Sequence, residues 1–425
     1  MLKAISRYGA RVLPNTQQII NGCRRRGELV RGPQIAEFER EFARRFGAVR
    51  AVSTSLGRMA FYYILRAMDL PKGSEVVFPA LTFWVVPEMA RAAGLRPVFA
   101  DVDPRTFNLD PGSLERAITP DTRAVVPTHL YGLPCDMDPI LEIARKHGLK
   151  VIEDCAHALG ARYRGRLVGT FGDAAFFSFQ TLKPLNTYGG GMASTGDGAL
   201  GRRIADLAAA EPWPTERRVL LKLWKGRAER VFTRPAVFTY TGFPILWAAS
   251  FTGLHPDVYL WERIRPLNPL PQGYGERYAN VQAALGLEGL ERLEQWTQQT
   301  RAHARFLDER LRGLPDTGTP FVPPDRDHVY YQYCLYVPDR DALVKGCIRR
   351  GVDIEVLHVD VCTRLALFGD RSASAPGAER AAGVVQLPVY SSLTDAQMRK
   401  IARVVTSVLL ALRERTGIHG RGGGP

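Results

Sequence analysis

The chain reads Val151-Ile152-Glu153-Asp154-Cys155-Ala156-His157 and, farther along, Phe177-Ser178-Phe179-Gln180-Thr181-Leu182-Lys183. Both stretches begin with an apolar run, which predicts a buried strand, and both end in polar side chains. Helical patterns such as Ala36–Phe46 and Ile140–His147 separate runs of this kind. Alternating strands and helices predict an α/β fold with a mainly parallel sheet, which binds ligands at the carboxyl ends of its strands. The predicted strands are Glu75–Pro79, Arg96–Asp101, Arg123–Pro127, Lys150–Asp154 and Ala174–Phe179.

The polar residues at these strand ends suit the chemistry of one cofactor. Pyridoxal phosphate needs a lysine that forms a Schiff base and a carboxylate that keeps its pyridine nitrogen protonated. Its phosphate needs hydroxyls and backbone N–H groups at a helix start or a glycine turn. Lys183, Asp154 and Ser178 are candidates for these roles. Taken alone, they fit equally a solvated lysine, a structural aspartate and an ordinary strand serine.

The alternation of predicted strands and helices stops at residues 205–265, which we interpret as an insertion. A long helix is predicted from about Ala279, and the mixture of strands and helices that follows predicts a smaller α+β domain. We therefore predict a large domain at residues 1–265, which contains the insertion, and a C-terminal domain at residues 266–425. The last residues, 417–425, are predicted to be a frayed tail.

The 425 residues carry a formal net charge of +14, and 45% of them are hydrophobic. This composition is typical of a globular protein and excludes a disordered chain, a collagen and a multi-span membrane protein. Most of the positive charge is local, because residues 1–50 carry a net charge of +7 and residues 212–235 a net charge of +5. Neither segment contains a recognised nucleic-acid-binding module, so we expect no nucleic acid partner.

The six cysteines and eight histidines are scattered along the chain without a Cys-x-x-Cys pair or a His-Glu-x-x-His motif. We therefore expect no metal site. Free thiols suit a reducing cytosol. The first residues are interrupted by Arg7 and Arg11 before an apolar segment forms, so we expect no signal peptide and a cytoplasmic protein.

The insertion combines a basic helix with an uncharged segment. An amphipathic helix is predicted at Glu216–Phe232, and Pro235–Pro256 carries no formal charge. A membrane span is disfavoured because Gly242 and Pro244 interrupt this segment. Two interpretations stay open: a helical hairpin packed on the core or on a partner subunit, and a peripheral contact with the inner membrane face through residues 212–255. The residues predicted on the apolar side of the helix are Leu220, Leu223, Trp224, Ala228, Val231 and Phe232.

Several ordered motifs resemble the DegT/StrS-type sugar aminotransferases, a branch of the fold-type-I, aspartate-aminotransferase-like pyridoxal-phosphate enzymes. The resemblance runs from about Gly32 to Tyr390 and is interrupted by residues 205–265. It implies a mainly parallel, seven-stranded-type sheet between helices, a smaller α+β C-terminal domain and a homodimer. The motifs are Gly32–Glu39, Asp101–Pro104, His129–Gly132, Glu153–Gly160, Gly172-Asp173, Phe177–Lys183 and Gly190-Gly191.

The resemblance also implies roles for individual residues. Lys183 matches the Schiff-base lysine, which in addition moves protons between the substrate carbon and the cofactor. Asp154 matches the partner of the pyridine nitrogen. Ser178 matches the hydroxyl that binds the phosphate, and His157 lies where the family has Gln or His beside the ring oxygen. Outside the resemblance, a buried histidine such as His157 is often only a hydrogen-bonded core residue.

Two further positions concern the ring and the phosphate. Phe83 matches the aromatic residue that stacks on the ring, although the adjacent Trp84 competes for this role. Where the family commonly reads Ser-Gly-Thr before the first long helix, this chain reads Ser55-Leu56-Gly57-Arg58. Gly57 still permits close approach of the phosphate, and Arg58 is a candidate for a cationic contact with it, the alternative being a solvated arginine.

Two departures from the family leave the substrate open. The usual Gly-Glu-Gly-Gly after the lysine is replaced by Tyr188-Gly189-Gly190-Gly191, which lacks the glutamate. The Asn-x-Arg that the family contributes from the neighbouring subunit is replaced by Gly275-Glu276-Arg277, which keeps only Arg277 as a cofactor-binding candidate.

The resemblance implies a pyridoxal-phosphate-dependent aminotransferase that moves an amino group from glutamate to a keto-sugar. The sugar would be nucleotide- or lipid-linked, and the pathway would make aminosugars, polysaccharides or antibiotics. One alternative is a sugar dehydratase, which is disfavoured because dehydratases of this family typically carry His at the position of Lys183. The other is a non-catalytic, membrane-associated protein with the same fold.

Overall fold

The computed structural model describes residues 3–9, 13–252, 263–356, 359–369 and 374–416. The predicted tail at residues 417–425 and the part of the insertion at residues 253–262 lie outside the described residues. The helices are α1 (Thr16–Arg25), α2 (Gln34–Phe46), α3 (Gly57–Met68), α4 (Val85–Ala92), α5 (Pro111–Ala117), α6 (Met137–His147), α7 (Gly198–Ala209), α8 (Glu216–Thr233), α9 (Pro235–Phe238), α10 (Gly242–Ala249), α11 (Asn280–Leu311), α12 (Arg340–Arg349), α13 (Pro376–Ala381) and α14 (Asp395–Thr416). The strands are β1 (Arg50–Thr54), β2 (Glu75–Pro79), β3 (Leu81–Thr82), β4 (Arg96–Ala100), β5 (Thr122–Val125), β6 (Lys150–Asp154), β7 (Arg162–Tyr163), β8 (Arg166–Leu167), β9 (Ala174–Ser178), β10 (Gly191–Thr195), β11 (Arg326–Asp327), β12 (Tyr333–Tyr336), β13 (Glu355–Val356), β14 (Asp360–Val361) and β15 (Val384–Leu387).

The central element is a seven-stranded sheet with the strand order β1-β10-β9-β6-β5-β2-β4. Strands β9, β6, β5, β2 and β4 pair in parallel, and β10 is antiparallel to both of its neighbours. The predicted α/β fold with a mainly parallel sheet is therefore confirmed. Strand β4 ends at Ala100, one position before the predicted end, because the Asp101 carboxylate accepts hydrogen bonds from the backbone N–H groups of Gly377 (2.8 Å) and Ala378 (2.9 Å) at the start of α13.

Helices cover both faces of this sheet, as a largely parallel sheet requires. On one face, α3 buries Met59, Phe61 and Ile64 in a core that includes residues of β2, β6 and β9. On the other face, α2 buries Phe38, Phe42 and Phe46 at the predicted helical spacing. The sheet is thus held between helices, and the carboxyl ends of its parallel strands share one edge.

A second, antiparallel sheet of order β12-β15-β13 lies in the C-terminal part, while the domain boundary at residue 265 stays a prediction. Strand β12 begins at Tyr333 instead of the predicted Tyr330. The reason is that Tyr330 has a φ of +49°, and the residues around it hydrogen-bond elsewhere. The N–H groups of Val329 and Gln332 donate to the carbonyls of Gly132 (3.0 Å) and Tyr131 (3.2 Å), respectively. This detour carries Tyr331 to the edge of the large sheet.

The insertion contains the predicted basic helix, α8, but the predicted single apolar side of that helix is wrong. Leu223 is buried, whereas Trp224 and Phe232 are exposed. The buried side is set by Gly226, where an added Cβ would lie 2.2 Å from Cδ1 of Tyr188. Because Gly226 has no side chain, α8 packs closely on Tyr188 through this side and leaves several large apolar residues outside.

The described part of the uncharged segment, residues 235–252, contains α9 and α10, which contact both the first residues and the C-terminal part of the chain. The Thr239 hydroxyl accepts a hydrogen bond from the Ala4 N–H (2.8 Å), and the Ser250 carbonyl accepts one from the Arg349 guanidinium (2.6 Å). Leu246 of α10 is buried in the core that surrounds the smaller sheet. No helix among the described residues has the length and apolar character that a membrane crossing requires.

Candidate active site

A cleft lies at the carboxyl edge of the seven-stranded sheet, where β6 and β9 end. The chain reaches it from the N-terminus of α3, from the segment after β2 and from the loop after β9. Residues that are far apart in the sequence therefore meet in this cleft. Arg277 is not among the residues that line it. The predicted residues that line it are Gly57, Arg58, Phe83, Asp154, His157, Ser178 and Lys183.

Asp154 is the last residue of β6, and its side chain is only 4% exposed. One carboxylate oxygen accepts a hydrogen bond from the Ala156 N–H at 3.0 Å. Burial raises the pKa of Asp154 to about 6, although the Ala156 hydrogen bond and the Lys183 charge act in the opposite direction. A carboxylate in such surroundings gains from a cationic partner placed against it, which is what a protonated ring nitrogen offers.

A buried pair, Glu153 and His129, supports the end of β6 that carries Asp154. The Glu153 carboxylate lies 3.1 Å from His129 Nε2, and His129 Nδ1 accepts the N–H of Cys135 at 3.0 Å. These contacts assign the imidazole proton to Nε2. The ligand atoms of His129, Glu153 and Cys155 lie within 4.8 Å of one another, but hydrogen bonds already use both imidazole nitrogens and both carboxylate oxygens. The remaining donors to Glu153 are the N–H groups of Gly169 (2.7 Å), Phe171 (2.7 Å) and Gly172 (2.8 Å).

Lys183 lies in the loop after β9, and its environment favours the neutral amine. Burial lowers the pKa of Lys183 to about 7, an effect that the Asp154 charge opposes and the Arg58 charge reinforces. A lysine of this pKa is partly unprotonated at neutral pH, so it can act as a nucleophile and as a base. Asp154 and Lys183 are thus a carboxylate and an amine with pKa values shifted toward each other, which is typical of a functional site.

His157 and Tyr331 form a stacked pair beside this lysine. Their ring centroids lie 4.1 Å apart with an interplanar angle of 23°, and Lys183 Nζ lies 4.8 Å from the centroid of the Tyr331 ring. His157 itself is buried. Tyr331 was not a candidate in the sequence, because it arrives from the C-terminal part of the chain through the irregular segment before β12.

The opposite end of the cleft is built on the N-terminus of α3. Gly57 is its first residue, and the preceding Leu56 provides no side-chain cap. A Cβ at Gly57 would lie 2.9 Å from the Cβ of Ser178, so glycine is needed for the helix to start this close to the end of β9. An uncapped helix N-terminus beside a serine hydroxyl is a suitable site for a phosphate group.

Arg58 is held at this end of the cleft by two aromatic rings. Its guanidinium carbon lies 5.7 Å from the centroid of the Phe83 ring and 5.3 Å from that of Tyr274, and it donates a hydrogen bond to the Tyr274 hydroxyl. These contacts disfavour a solvated arginine. Phe83 lines the cleft, whereas Trp84 is fully buried in the core and does not.

Arg277, the remaining candidate, is held away from this cleft. Its guanidinium carbon lies 3.9 Å from the centroid of the Trp213 ring. The backbone N–H of Arg277 donates a hydrogen bond to the Pro212 carbonyl at 3.0 Å. The resemblance implies that Arg277 contributes to the cofactor site from the neighbouring subunit, so its position outside its own cleft does not test that role. Its role in the site of a neighbouring subunit stays a prediction.

The groups in the cleft fit pyridoxal phosphate. Asp154 and Lys183 suit the ring nitrogen and the aldehyde carbon, and the start of α3 with Ser178 suits the phosphate. The Thr82 hydroxyl, which also lines the cleft, is buried and has no hydrogen-bond partner among the described residues. Thr82 was not singled out in the sequence, although it directly precedes the candidate Phe83.

Comparisons with known proteins agree with this geometry. The DegT/DnrJ/EryC1/StrS aminotransferase family model matches residues 13–221 and 246–406. The chain is 33% identical to the GDP-perosamine synthase of Caulobacter vibrioides, over 89% of this chain and 91% of that protein. It is 31% identical to the UDP-N-acetyl-3-dehydro-alpha-D-glucosamine 3-aminotransferase of Acidithiobacillus ferrooxidans, with 90% of each chain covered.

A solved structure is also similar. S. venezuelae DesV in complex with a ketimine intermediate superposes with a TM-score of 0.74 at 30% identity, over 92% of this chain and 94% of that chain. The family and the ketimine-bound solved structure indicate pyridoxal phosphate as the cofactor, and the groups in the cleft fit it. The chain belongs to the DegT/DnrJ/EryC1/StrS aminotransferase family, and the protein is a pyridoxal-phosphate-dependent aminotransferase.

Proposed function

We propose that this aminotransferase moves an amino group from glutamate to a nucleotide-activated keto-sugar in aminosugar or polysaccharide biosynthesis. The observation that carries the proposal is the pairing of Lys183, with its lowered pKa, and the buried Asp154 in one cleft at the carboxyl edge of the sheet. The presence of lysine at position 183 favours transamination over the dehydratase alternative, because the dehydratases of this family typically carry histidine there.

The residues of the cleft divide the work between binding and proton transfer. Pyridoxal phosphate, when bound, supplies an electron sink for the carbon that loses its proton. Neutral Lys183 would take that proton and return it to the neighbouring carbon, which its pKa of about 7 permits near neutral pH. Ionised Asp154 would hold the proton on the ring nitrogen.

The remaining residues would hold the cofactor in place. The start of α3, Ser178, Thr82 and Arg58 would bind the phosphate, and Phe83 would cover the ring. His157 would lie beside the ring oxygen, with its own ring fixed by the stack on Tyr331. All of these residues except Tyr331 line the same cleft, which supports a shared role.

The substrate class follows from the relatives. One relative is named for a GDP-linked sugar and another for a UDP-linked sugar, so the nucleotide base differs between them while the diphosphate is common to both. We infer that this chain takes a keto-sugar nucleoside diphosphate, and that glutamate is the donor by analogy with the family. A lipid-linked keto-sugar is the second substrate form to test.

We further propose a cytoplasmic homodimer in which Arg277 serves the site of the other subunit. Arg277 lies outside its own cleft, where it stacks on Trp213, and this placement supports a contribution across an interface. Peripheral contact with the inner membrane face through residues 212–255 completes the proposal.

A panel of keto-sugar nucleotides tests the substrate. The enzyme is first converted with glutamate to the amine-loaded form of its cofactor, and GDP-, UDP- and dTDP-linked keto-sugars are then added separately. We expect one of them to restore the aldehyde-form absorbance and to yield an amino-sugar by mass spectrometry. Release of a deoxygenated sugar without nitrogen would instead favour the dehydratase. 2-Oxoglutarate should restore the absorbance by reversal of the glutamate step, so it is removed before the sugars are added; restoration by 2-oxoglutarate but by none of the keto-sugars would contradict the proposed sugar substrate.

Replacing Arg58 by glutamine is expected to weaken pyridoxal phosphate binding by about tenfold to a hundredfold, because a charge-assisted hydrogen bond to the phosphate is lost. Arg66→Gln on the same helix is the matched control, since that arginine is paired with Tyr62 at the surface. Equilibrium dialysis of the cofactor measures the effect. Equal dissociation constants for the two variants would show that Arg58 does not bind the phosphate.

Replacing Tyr331 by alanine is expected to raise the pKa of Lys183, because water then reaches the amine that the ring covers. Lys183 acts as the neutral amine, so the acid limb of the kcat profile should move to higher pH, with roughly tenfold lower kcat at pH 7. Tyr331→Phe keeps the ring and should keep the wild-type limb. Coincident limbs for the alanine and phenylalanine variants would refute this role of the ring.

A further inference from the structure

The exposed large hydrophobic residues of this protein are concentrated in the insertion. Of the twelve such residues among the described ones, eight lie between positions 221 and 251. Single exposed hydrophobics are normal, but eight of them within one segment of the chain indicate an interaction region. We call these eight residues the insertion surface. They are Leu221, Trp224, Val231, Phe232, Tyr240, Ile245, Trp247 and Phe251.

Helix α8 is apolar on two opposite sides. Its buried side, with Val219, Leu223 and Gly226, packs in a cluster that includes residues of α1 and Tyr188. On the outward side, Leu221 and Trp224 are 54% and 69% exposed. The requirements of the fold are already met by the buried side, so the outward residues are not explained by the packing of this chain.

The outward side also carries positive charge. Arg217 and Lys225 are exposed; Arg217 precedes Leu221 by four residues, and Lys225 directly follows Trp224. The whole segment from residue 212 to residue 235 has a net charge of +5. Exposed aromatic residues beside basic ones are the pattern of a helix that lies in the plane of an anionic lipid surface.

Five of the eight residues of the insertion surface, Trp224, Val231, Phe232, Tyr240 and Ile245, lie in a segment that the family model does not match. The family model stops at residue 221 and resumes at residue 246, so most of α8, all of α9 and the start of α10 lie outside it. None of the residues that line the cleft lies between residues 222 and 245. The exposed aromatic residues of this segment are therefore explained neither by the cleft nor by the part of the chain that the family shares, which favours a partner of their own.

We propose that the insertion surface docks on anionic phospholipid bilayers, with α8 lying along the headgroups and Trp224 and Phe232 entering the interface. This deepens the peripheral contact proposed above and rests on it, but it is independent of the sugar substrate. An enzyme held in this way works beside the bilayer, where lipid-linked sugars and membrane glycosyltransferases reside.

A second copy of the chain is a less suitable occupant of this surface. A two-fold contact centred on α8 would bring two copies of the same segment together, each with a net charge of +5, which is electrostatically unfavourable. The cores of subunit interfaces are also depleted in lysine. An anionic lipid surface instead complements the charge and accepts the aromatic side chains.

Vesicle flotation of the pyridoxal-phosphate-loaded protein tests the proposal. We expect at least tenfold more protein to float with phosphatidylcholine vesicles containing phosphatidylglycerol than with phosphatidylcholine alone, and the binding should fall with added salt. The double variant Leu221→Asp/Trp224→Asp and the charge reversal Arg217→Glu/Lys225→Glu should each lose this binding. Phe321→Asp, at an exposed phenylalanine outside the insertion, is the matched control.

Cofactor absorbance and transamination of each variant are measured in parallel, and both should stay at wild-type levels, because no cleft residue is changed. Flotation that is absent for the wild type, or unchanged in both double variants, would overturn the proposal. Light scattering gives the third measurement. A smaller oligomer in the Leu221→Asp/Trp224→Asp variant would identify the surface as a subunit interface and overturn the lipid assignment, while the result of the sugar panel would be unaffected.

Discussion

Lys183→Ala is expected to lower kcat by at least about 10⁴-fold, because this lysine both attaches the cofactor and moves the proton. Its amine has the lowered pKa, about 7, that both tasks require. Among the described residues that line the cleft, Lys183 is the only lysine. The variant should still bind pyridoxal phosphate non-covalently through the start of α3, Ser178 and Arg58. Absorbance spectra and single-turnover transamination measure the two effects separately.

The matched control for this prediction is Lys72→Ala, which removes an exposed lysine that does not line the cleft. It should leave both the spectrum and the rate unchanged. Borohydride reduction followed by peptide mapping adds a direct readout, with the cofactor expected on the peptide that contains Lys183. Cofactor found on another lysine, or a Lys183→Ala variant with appreciable turnover, would contradict the assignment of Lys183.

The core of the site was predictable because its signals are local. Asp154 and Ser178 each end an apolar run, and in a parallel sheet such ends share one edge, so two strands suffice to place them together. Lys183 was a candidate from the chemistry of the cofactor, and the resemblance to a family strengthened its role and added those of His157 and Phe83, which no periodicity contains. These residues meet in the cleft as expected.

What the sequence could not indicate depends on tertiary packing. Tyr331 reaches Lys183 because Tyr330 adopts a positive φ and the segment leaves its strand to bond with Gly132, and no spacing rule encodes that detour. Tyr274 meets Arg58 for a similar reason, since it comes from the segment after the insertion.

Helix α8 shows a second limit. Its apolar residues have helical periodicity, but periodicity does not say which of two apolar sides faces the core. The contact between Gly226 and Tyr188 decides this, and it turns Leu223 inward and Trp224 outward. Arg277 shows a third limit, because it lies outside its own cleft and its proposed role in the site of another subunit rests on the family resemblance alone.

Asp154→Asn is expected to lower kcat by roughly 10³-fold, because the amide cannot hold a positive charge on the ring nitrogen and the cofactor becomes a weaker electron sink. The variant should fold, since the asparagine oxygen can still accept the Ala156 N–H. The change also affects Lys183. The Asp154 charge raises the pKa of Lys183, so its removal should lower that pKa further.

The sign of this second effect can be measured through cofactor attachment, which requires the neutral amine. In the wild type, the rate of attachment should rise as the pH increases through the pKa of Lys183, and in Asp154→Asn this rise should occur at lower pH. The variant is therefore expected to attach the cofactor faster than the wild type on the acid side while it transaminates far more slowly. Stopped-flow absorbance over a pH series gives both quantities.

Glu153→Gln is the matched control, because it changes the adjacent buried carboxylate of the same strand. Glu153 accepts three backbone N–H groups and pairs with His129, so its loss should lower the free energy of unfolding by about 1–3 kcal/mol. Transamination by the folded fraction should be affected much less than in Asp154→Asn. Equal losses of kcat in the two variants, or a pH dependence of attachment that does not move in Asp154→Asn, would show that Asp154 does not act on the cofactor and on Lys183 through its charge.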